Sequence, residues 1–125
     1  MVYFKPITEK SCLRQLFPEK AIDDNAVCGA YKGLNEDGSQ AGVCFVSIDG
    51  YRCAVSDLSC DISDKLLVEG FLRASLNFAA NRNAYMAYCR DGRIADVLST
   101  LGFEKNGEEY SGDIPTLLQG NCCKE

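Results

Sequence analysis

Eight cysteines and no histidine bound the chemistry open to this chain. Without histidine there is no Ser-His-Asp or Cys-His nucleophile pair, no imidazole base and no His-ligated zinc or haem. Proton transfer falls to carboxylates, thiols, tyrosines, lysines or water. The thiols contain no Cys-x-x-Cys pair and match no zinc ribbon, so most read as small buried apolar residues. Cys89 and the vicinal Cys122-Cys123 are the metal candidates: with one or two further thiolates they could hold a soft metal or an iron-sulfur cluster, or act in thiol redox chemistry. Packing, or no role, is the simpler reading of all three. The run Arg90-Asp91-Gly92-Arg93 brings two arginines together, either to grip an anion or as solvated turn residues. Tyr85, Tyr88 and Tyr110 fall at strand spacing, which favours core over catalysis. Glu69 is a candidate base or a solvated helix charge. None of these patterns singles out a catalytic residue.

The charge balance narrows the partners. With 13 Lys and Arg against 18 Asp and Glu, the net charge is −5 and the pI is near 4.7. No basic stripe is available to release counterions from a nucleic acid, and an anionic membrane surface is equally disfavoured. The first ten residues, MVYFKPITEK, lack the apolar core of a signal peptide, and no stretch approaches the roughly 20 apolar residues of a membrane span. A cytoplasmic location, where thiols stay reduced, is the expectation. The 125 residues suit one domain, residues 1–125, that buries roughly two thirds of its unfolded surface without disulfides or a metal.

Elements that would position these side chains can be read from periodicity and turn residues. Residues 2–7 alternate as a short edge strand, and Thr8 can cap a helix over residues 9–17 that Pro18 stops. Residues 26–34 read as a strand and residues 35–39, with Asp37-Gly38, as a turn. Two apolar runs, residues 41–48 and 51–60, flank Asp49-Gly50, a strong two-residue hairpin signal. In that register Ile48 opposes Tyr51, Val46 opposes Cys53 and Cys44 opposes Val55. Cys44 and Cys53 are then diagonal neighbours roughly 7 Å apart, beyond the roughly 3.8 Å of a disulfide. Asp61 begins a long helix with Asp64 at the capping-box position, and Leu67, Phe71, Ala74 and Phe78 recur along it. A strand over residues 84–89 follows, then a helix capped by Asp91 and stopped at Gly102. Residues 103–105 and 108–111 flank Asn106-Gly107 as a second hairpin. The tail, residues 112–125, holds Pro115 and a short Leu117-Leu118 pair. A strand, helix, strand unit after a meander makes the strand at Cys89 parallel to the one ending at Cys60. The fold class is α/β or α+β, with a mixed, mostly antiparallel sheet.

This order, with Phe78-Ala79-Ala80-Asn81-Arg82-Asn83 closing the long helix and Leu98-Ser99-Thr100-Leu101-Gly102-Phe103 entering the last hairpin, resembles the GCN5-related N-acetyltransferase (GNAT) superfamily. The resemblance implies that the strand before the long helix splays from the next, and that the gap receives the pantetheine of acetyl-CoA. It further implies that the backbone of Cys60, Asp61, Ile62, Ser63, Asp64 and Lys65, at the helix start, faces the pyrophosphate. Leu66, Leu67 and Val68 stand where the family has a Gly-x-Gly pattern. Asp91 stands near its usual Asn, and Leu98 replaces the Tyr that serves as general acid.

Three readings follow. One is a small N-acetyltransferase moving an acyl group from acetyl-CoA to an amine. Another is a catalytically lapsed module on the same fold that binds a ligand or a protein in the cleft. The third is a cysteine-based metal or redox protein. Expected partners are a small molecule and, as a candidate, a second copy of the chain as a homodimer.

Overall fold

The computed structural model describes residues 1–119. In chain order the elements are β1 (Tyr3–Ile7), α1 (Lys10–Leu16), β2 (Val27–Leu34), β3 (Gln40–Asp49), β4 (Arg52–Cys60), α2 (Lys65–Ala80), β5 (Met86–Cys89), a 3-10 turn (Gly92–Ile94), α3 (Ala95–Leu101), β6 (Glu104–Asn106), β7 (Glu109–Asp113) and α4 (Ile114–Gln119). The strands form one seven-stranded sheet in the order β1-β2-β3-β4-β5-β7-β6. All neighbours are antiparallel except β4 and β5, which the α2 crossover makes parallel as the sequence predicts. No helix among the described residues is long and apolar enough to cross a membrane.

The sheet is covered unequally. On one face Cys44, Val46, Cys53, Val55, Ala87 and Cys89 pack with Val68, Phe71, Leu72 and Leu76 of α2 and with Leu98 and Leu101 of α3. On the other, a smaller cluster joins Leu13, Phe17 and Ile22 to Cys28, Ala30 and Phe45. Period-two alternation along β2, β3 and β4 sorts the side chains between the two.

Both hairpins turn one residue later than the sequence predicts. Asp49 pairs with Arg52, so Gly50 and Tyr51 form the first loop; Asn106 pairs with Glu109, so Gly107 and Glu108 form the second. Gly50 and Gly107 have φ of 63° and 69° at the first loop position, where the Gly-first class of two-residue turn needs a residue free of Cβ strain. The pairing slips by two residues, Ile48 opposing Cys53 and Val46 opposing Val55, which leaves every side chain on its predicted face. Cys44 and Cys53 are consequently farther apart than diagonal neighbours; both are free thiols at 0% exposure.

A second irregularity lies in β4. Val43 pairs with Ser59 and Phe45 with Ser56, so β4 carries an extra residue there, and Asp57 sits at φ 54°. This is a β-bulge, which bends the strand and sharpens its twist. Gly42 makes room for it, because a Cβ there would lie 2.5 Å from the Ser59 carbonyl oxygen.

Helix boundaries also differ from expectation. Glu9, not Thr8, is the N-cap residue of α1 and makes no side-chain cap. Asp64, not Asp61, caps α2, its Oδ1 accepting from the Leu67 N–H at 3.2 Å. Asp91 caps the 3-10 turn that precedes α3, and α3 ends on Gly102 at φ 117° as predicted. The tail contains an unpredicted helix, α4. Pro115 sits at its second position, where a missing N–H costs nothing, and Asp113 Oδ2 accepts from Thr116 N–H at 3.0 Å.

Candidate functional site

Pairing between β4 and β5 runs only from Arg52 opposite Met86 to Val55 opposite Cys89. There β5 ends, whereas β4 continues through its bulge to Cys60. The two strands therefore diverge beyond Val55 and Cys89, and residues 56–60 of β4 have no strand partner on that side. Arg93, from the 3-10 turn, reaches across the divergence. Its guanidinium pairs with both oxygens of Asp91, at 2.9 and 2.7 Å, and donates to the Leu58 carbonyl at 2.8 Å. The hydrogen bond to Arg93 holds the Asp91 carboxyl below its usual range, and Asp91 in turn raises Arg93. Arg90 points elsewhere, to Glu109 at 3.5 Å. Of the two arginines in the Arg90-Asp91-Gly92-Arg93 run, only Arg93 contacts the gap.

At the outer end of the gap, the loop from Cys60 to Lys65 meets the N-terminus of α2. The N–H groups of Ser63, Asp64, Leu67 and Val68 are already engaged. Asp61 Oδ1 accepts from the Ser63 N–H at 3.1 Å and from its hydroxyl at 2.6 Å, and these bonds hold the Asp61 carboxyl below its ordinary range. Asp64 N–H donates to the Asp61 carbonyl at 3.0 Å. Asp64 in turn takes Leu67 N–H on its carboxylate and Val68 N–H on its carbonyl. Lys65 is paired with Asp96. The strand divergence leaves the backbone of β4 beyond Val55 without a strand partner on the β5 side. A pyrophosphate fits this loop poorly, because two of its N–H groups, those of Ser63 and Leu67, are held by the carboxylates of Asp61 and Asp64, which carry the same sign as the ligand.

On the α1 face of the sheet, beside the bulge, lies a cavity of about 600 Å³ lined by Leu16, Phe17, Lys20, Val43, Asp57 and Ser59, among others. Lys20 Nζ lies 2.7 Å from Asp57 Oδ2 and donates to Ser56 Oγ at 3.2 Å; Ser56 Oγ donates to Asp57 at 2.8 Å. Partial burial pushes the Asp57 carboxyl up, but the bonds from Lys20 and Ser56 outweigh it and hold the group below its usual value. Lys20 also stands 5.0 Å over the Phe45 ring. A charged, ordered cluster thus borders both the bulge and an open cavity. The sequence reading missed Lys20, Ser56 and Asp57. Its one available signal was an acidic residue interrupting the apolar alternation of β4.

The remaining predicted residues are dispersed. Cys60 is half-buried and Cys89 buried; burial raises both thiols above the ordinary value. Among the described residues no three or more His, Cys, Asp or Glu side chains are arranged to hold a metal, and Cys122 and Cys123 lie outside those residues. Tyr110 is core, Tyr85 is exposed, and Tyr88 carries the Arg52 guanidinium 4.2 Å over its ring. Glu69 is paired with Arg73 at 2.8 Å. Leu98 is buried at 0% exposure, so α3 presents no acid at that position.

No protein-family model matches the sequence, and no curated protein matches it either. Solved structures do match in shape. The ribosomal-protein-S18-alanine N-acetyltransferase of Escherichia coli superposes with a TM-score of 0.67 at 7% identity, over 91% of this chain and 94% of its own. An acetyltransferase of the GNAT family from Staphylococcus aureus Mu50 gives 0.62 at 11% identity, over 90% and 99%. YhhK of E. coli, solved by NMR with coenzyme A bound, gives 0.63 at 14%, over 90% and 98%. At these identities the likeness is one of fold: the chain has the mixed α+β architecture of the GNAT superfamily, in a divergent sequence.

Proposed function

We propose that the chain is an N-acyltransferase of the GNAT type, in which the divergence of β4 and β5 receives the thioester arm of an acyl donor and the cavity beside the bulge receives an acceptor amine. The observation that carries this reading is the end of pairing at Val55 and Cys89 while β4 runs on to Cys60. A continuous sheet would leave no slot. Acetyl-CoA is the donor that the fold implies, and when bound it supplies an acyl group on sulfur. The chain's own contribution is positional. The carbonyl of Leu58, now accepting from Arg93, is the acceptor an amide-bearing arm would take over. The ionised Asp57 borders the cavity and suits a cationic acceptor, competing with Lys20 for its charge. This reading takes a small-molecule amine as the acceptor and a cytoplasmic location.

A second reading, binding without turnover, draws on Leu98, which is apolar and buried where a proton donor would serve the departing thiolate. One experiment separates the two. Calorimetry with acetyl-CoA, CoA and acetyl-pantetheine, followed by a thiol-release assay over a panel of amines, is expected to give binding of at least one pantetheine-bearing ligand and amine-dependent thiol release. Binding without release supports the second reading. Absence of binding by all three at millimolar concentration overturns the transferase reading and the gap as a donor site.

A further inference from the structure

We infer that the loop before α2 excludes the nucleotide end of a coenzyme thioester, so that the gap selects a pantetheine-type arm whose outer end carries no phosphate. The inference rests on the gap as the donor site, and goes beyond it by assigning the chemical class of the donor.

The first ground is that two of the backbone donors, the Ser63 and Leu67 amides, are held by carboxylates. A phosphate docks at a helix start through unsatisfied N–H groups. Here the side chain of Asp61 holds both the amide and the hydroxyl of Ser63, and that of Asp64 holds the amide of Leu67. A pyrophosphate could gain those donors only by displacing a carboxylate that remains beside it.

The second ground is charge. Asp61, Asp64, Asp91 and Arg93 stand around Cys60 at the mouth of the gap, and Lys65, which closes the loop, is paired with Asp96. Both cations are committed, Lys65 to Asp96 and Arg93 to Asp91. Four carboxylates against two cations leave a net charge of −2, carried by Asp61 and Asp64. Like charges across a few ångströms at a protein surface repel by an amount worth at least tenfold in affinity.

The third ground is the first turn of α2 itself. Leu66 is 82% exposed there, an apolar side chain where the ligand leaves the gap. An uncharged, partly apolar outer end suits that rim; a dianion does not.

The test removes charge and keeps shape. Asparagine forms the same turn as Asp61 and is an equally good N-cap in place of Asp64, so Asp61→Asn/Asp64→Asn changes little besides charge, which its melting temperature checks. Calorimetry at low salt measures CoA and pantetheine on both proteins. Wild type is expected to bind pantetheine at least as tightly as CoA. The double variant should gain about tenfold or more for CoA and stay within about twofold for pantetheine, with each single variant giving part of the gain. A wild-type preference for CoA of tenfold or more, or a double variant with no gain for CoA, overturns the inference. Should wild type bind neither ligand, the variant still decides: acquired CoA binding supports exclusion by charge at a gap that can hold a donor, and none overturns both the inference and the gap's role as donor site.

Discussion

Burial fixes the behaviour of two thiols that composition alone leaves open. Desolvation pushes Cys44 and Cys53 up to about 12, from an ordinary 9.0. A thiol that does not ionise is neither a nucleophile nor a metal ligand. Iodoacetamide at pH 8 is therefore expected to label the exposed Cys12 and to leave Cys44 and Cys53 untouched until the chain is unfolded, as peptide mass spectrometry would show. Labelling of either buried thiol in native protein would contradict their core placement. The same shift has a sign in stability. In the unfolded chain the thiols ionise above 9.0, in the fold only near 12, so stability is intact below 9.0 and falls as pH rises between those values. The slope is at most about 1.4 kcal/mol per pH unit for each thiol. Cys44→Ala and Cys53→Ala should each be less stable than wild type at pH 7, with the deficit shrinking toward pH 11 in urea titrations. Asp57 is the opposite case. Its lowered carboxyl contributes stability above the unfolded value of 3.8 that is lost as pH falls through the folded one. Because Lys20 and Asp57 are both partly exposed, the pair is worth less than about 1 kcal/mol. Asp57→Asn, which tolerates the positive φ, should leave the melting temperature within a few degrees while weakening acceptor binding in the transfer assay.

At the scale of elements, turns and the bulge carry the specificity that hydrophobic alternation does not. Gly50 and Gly107 hold positive φ at the first loop position. Gly50→Ala and Gly107→Ala should cost about 1 kcal/mol each. Asp49→Ala and Asn106→Ala, which change residues within strands, should stay within about 0.5 kcal/mol. If the order of costs reversed in denaturant titrations, the loops would be Asp49-Gly50 and Asn106-Gly107 after all. Gly42→Ala presses on the Ser59 carbonyl of the bulge, and overpacking of that kind costs about 1 to 3 kcal/mol. These same features mark what the sequence could convey. Strand and helix order, the parallel crossover and the Gly102 stop are local patterns, and all are observed. The hairpin loops were misplaced by one residue because an Asp-Gly or Asn-Gly pair serves two turn classes, and a two-residue slip in pairing leaves the alternation unchanged. The helix α4 is too short for its apolar residues to show a helical period, although Pro115 is admissible in a first turn. At the candidate site, the 60–65 loop comes from the resemblance alone, and the side chains around the gap and the cavity meet across the chain. Arg93 and Leu58 are 35 positions apart, and Lys20 and Ser56 are 36. No periodicity encodes such contacts.

Across the whole molecule, the candidate site lies at the seam between two cores of unequal size. The gap opens in the sheet under α2 and α3, whose side of the sheet holds most of the buried residues, while the cavity proposed for the acceptor is walled by α1 and the segment after it, secured by six buried residues. Buried area scales stability, so the α1 side is expected to open locally at lower free energy than the α2 side. Leu13, at 0% exposure, anchors that side; Leu72, at 1%, anchors the other. Both truncations to Ala remove comparable volume at a nominal cost of about 2 to 5 kcal/mol. They should nonetheless differ in reach. Leu13→Ala is expected to speed amide exchange across residues 10–26 while α2 keeps its protection. Leu72→Ala should raise exchange throughout the sheet and lower the single unfolding midpoint. Acceptor binding would fall in the first variant with donor binding retained, because only the acceptor wall has loosened. Uniform acceleration in both would mean that the two cores unfold together and that α1 cannot move independently of the sheet to admit an acceptor.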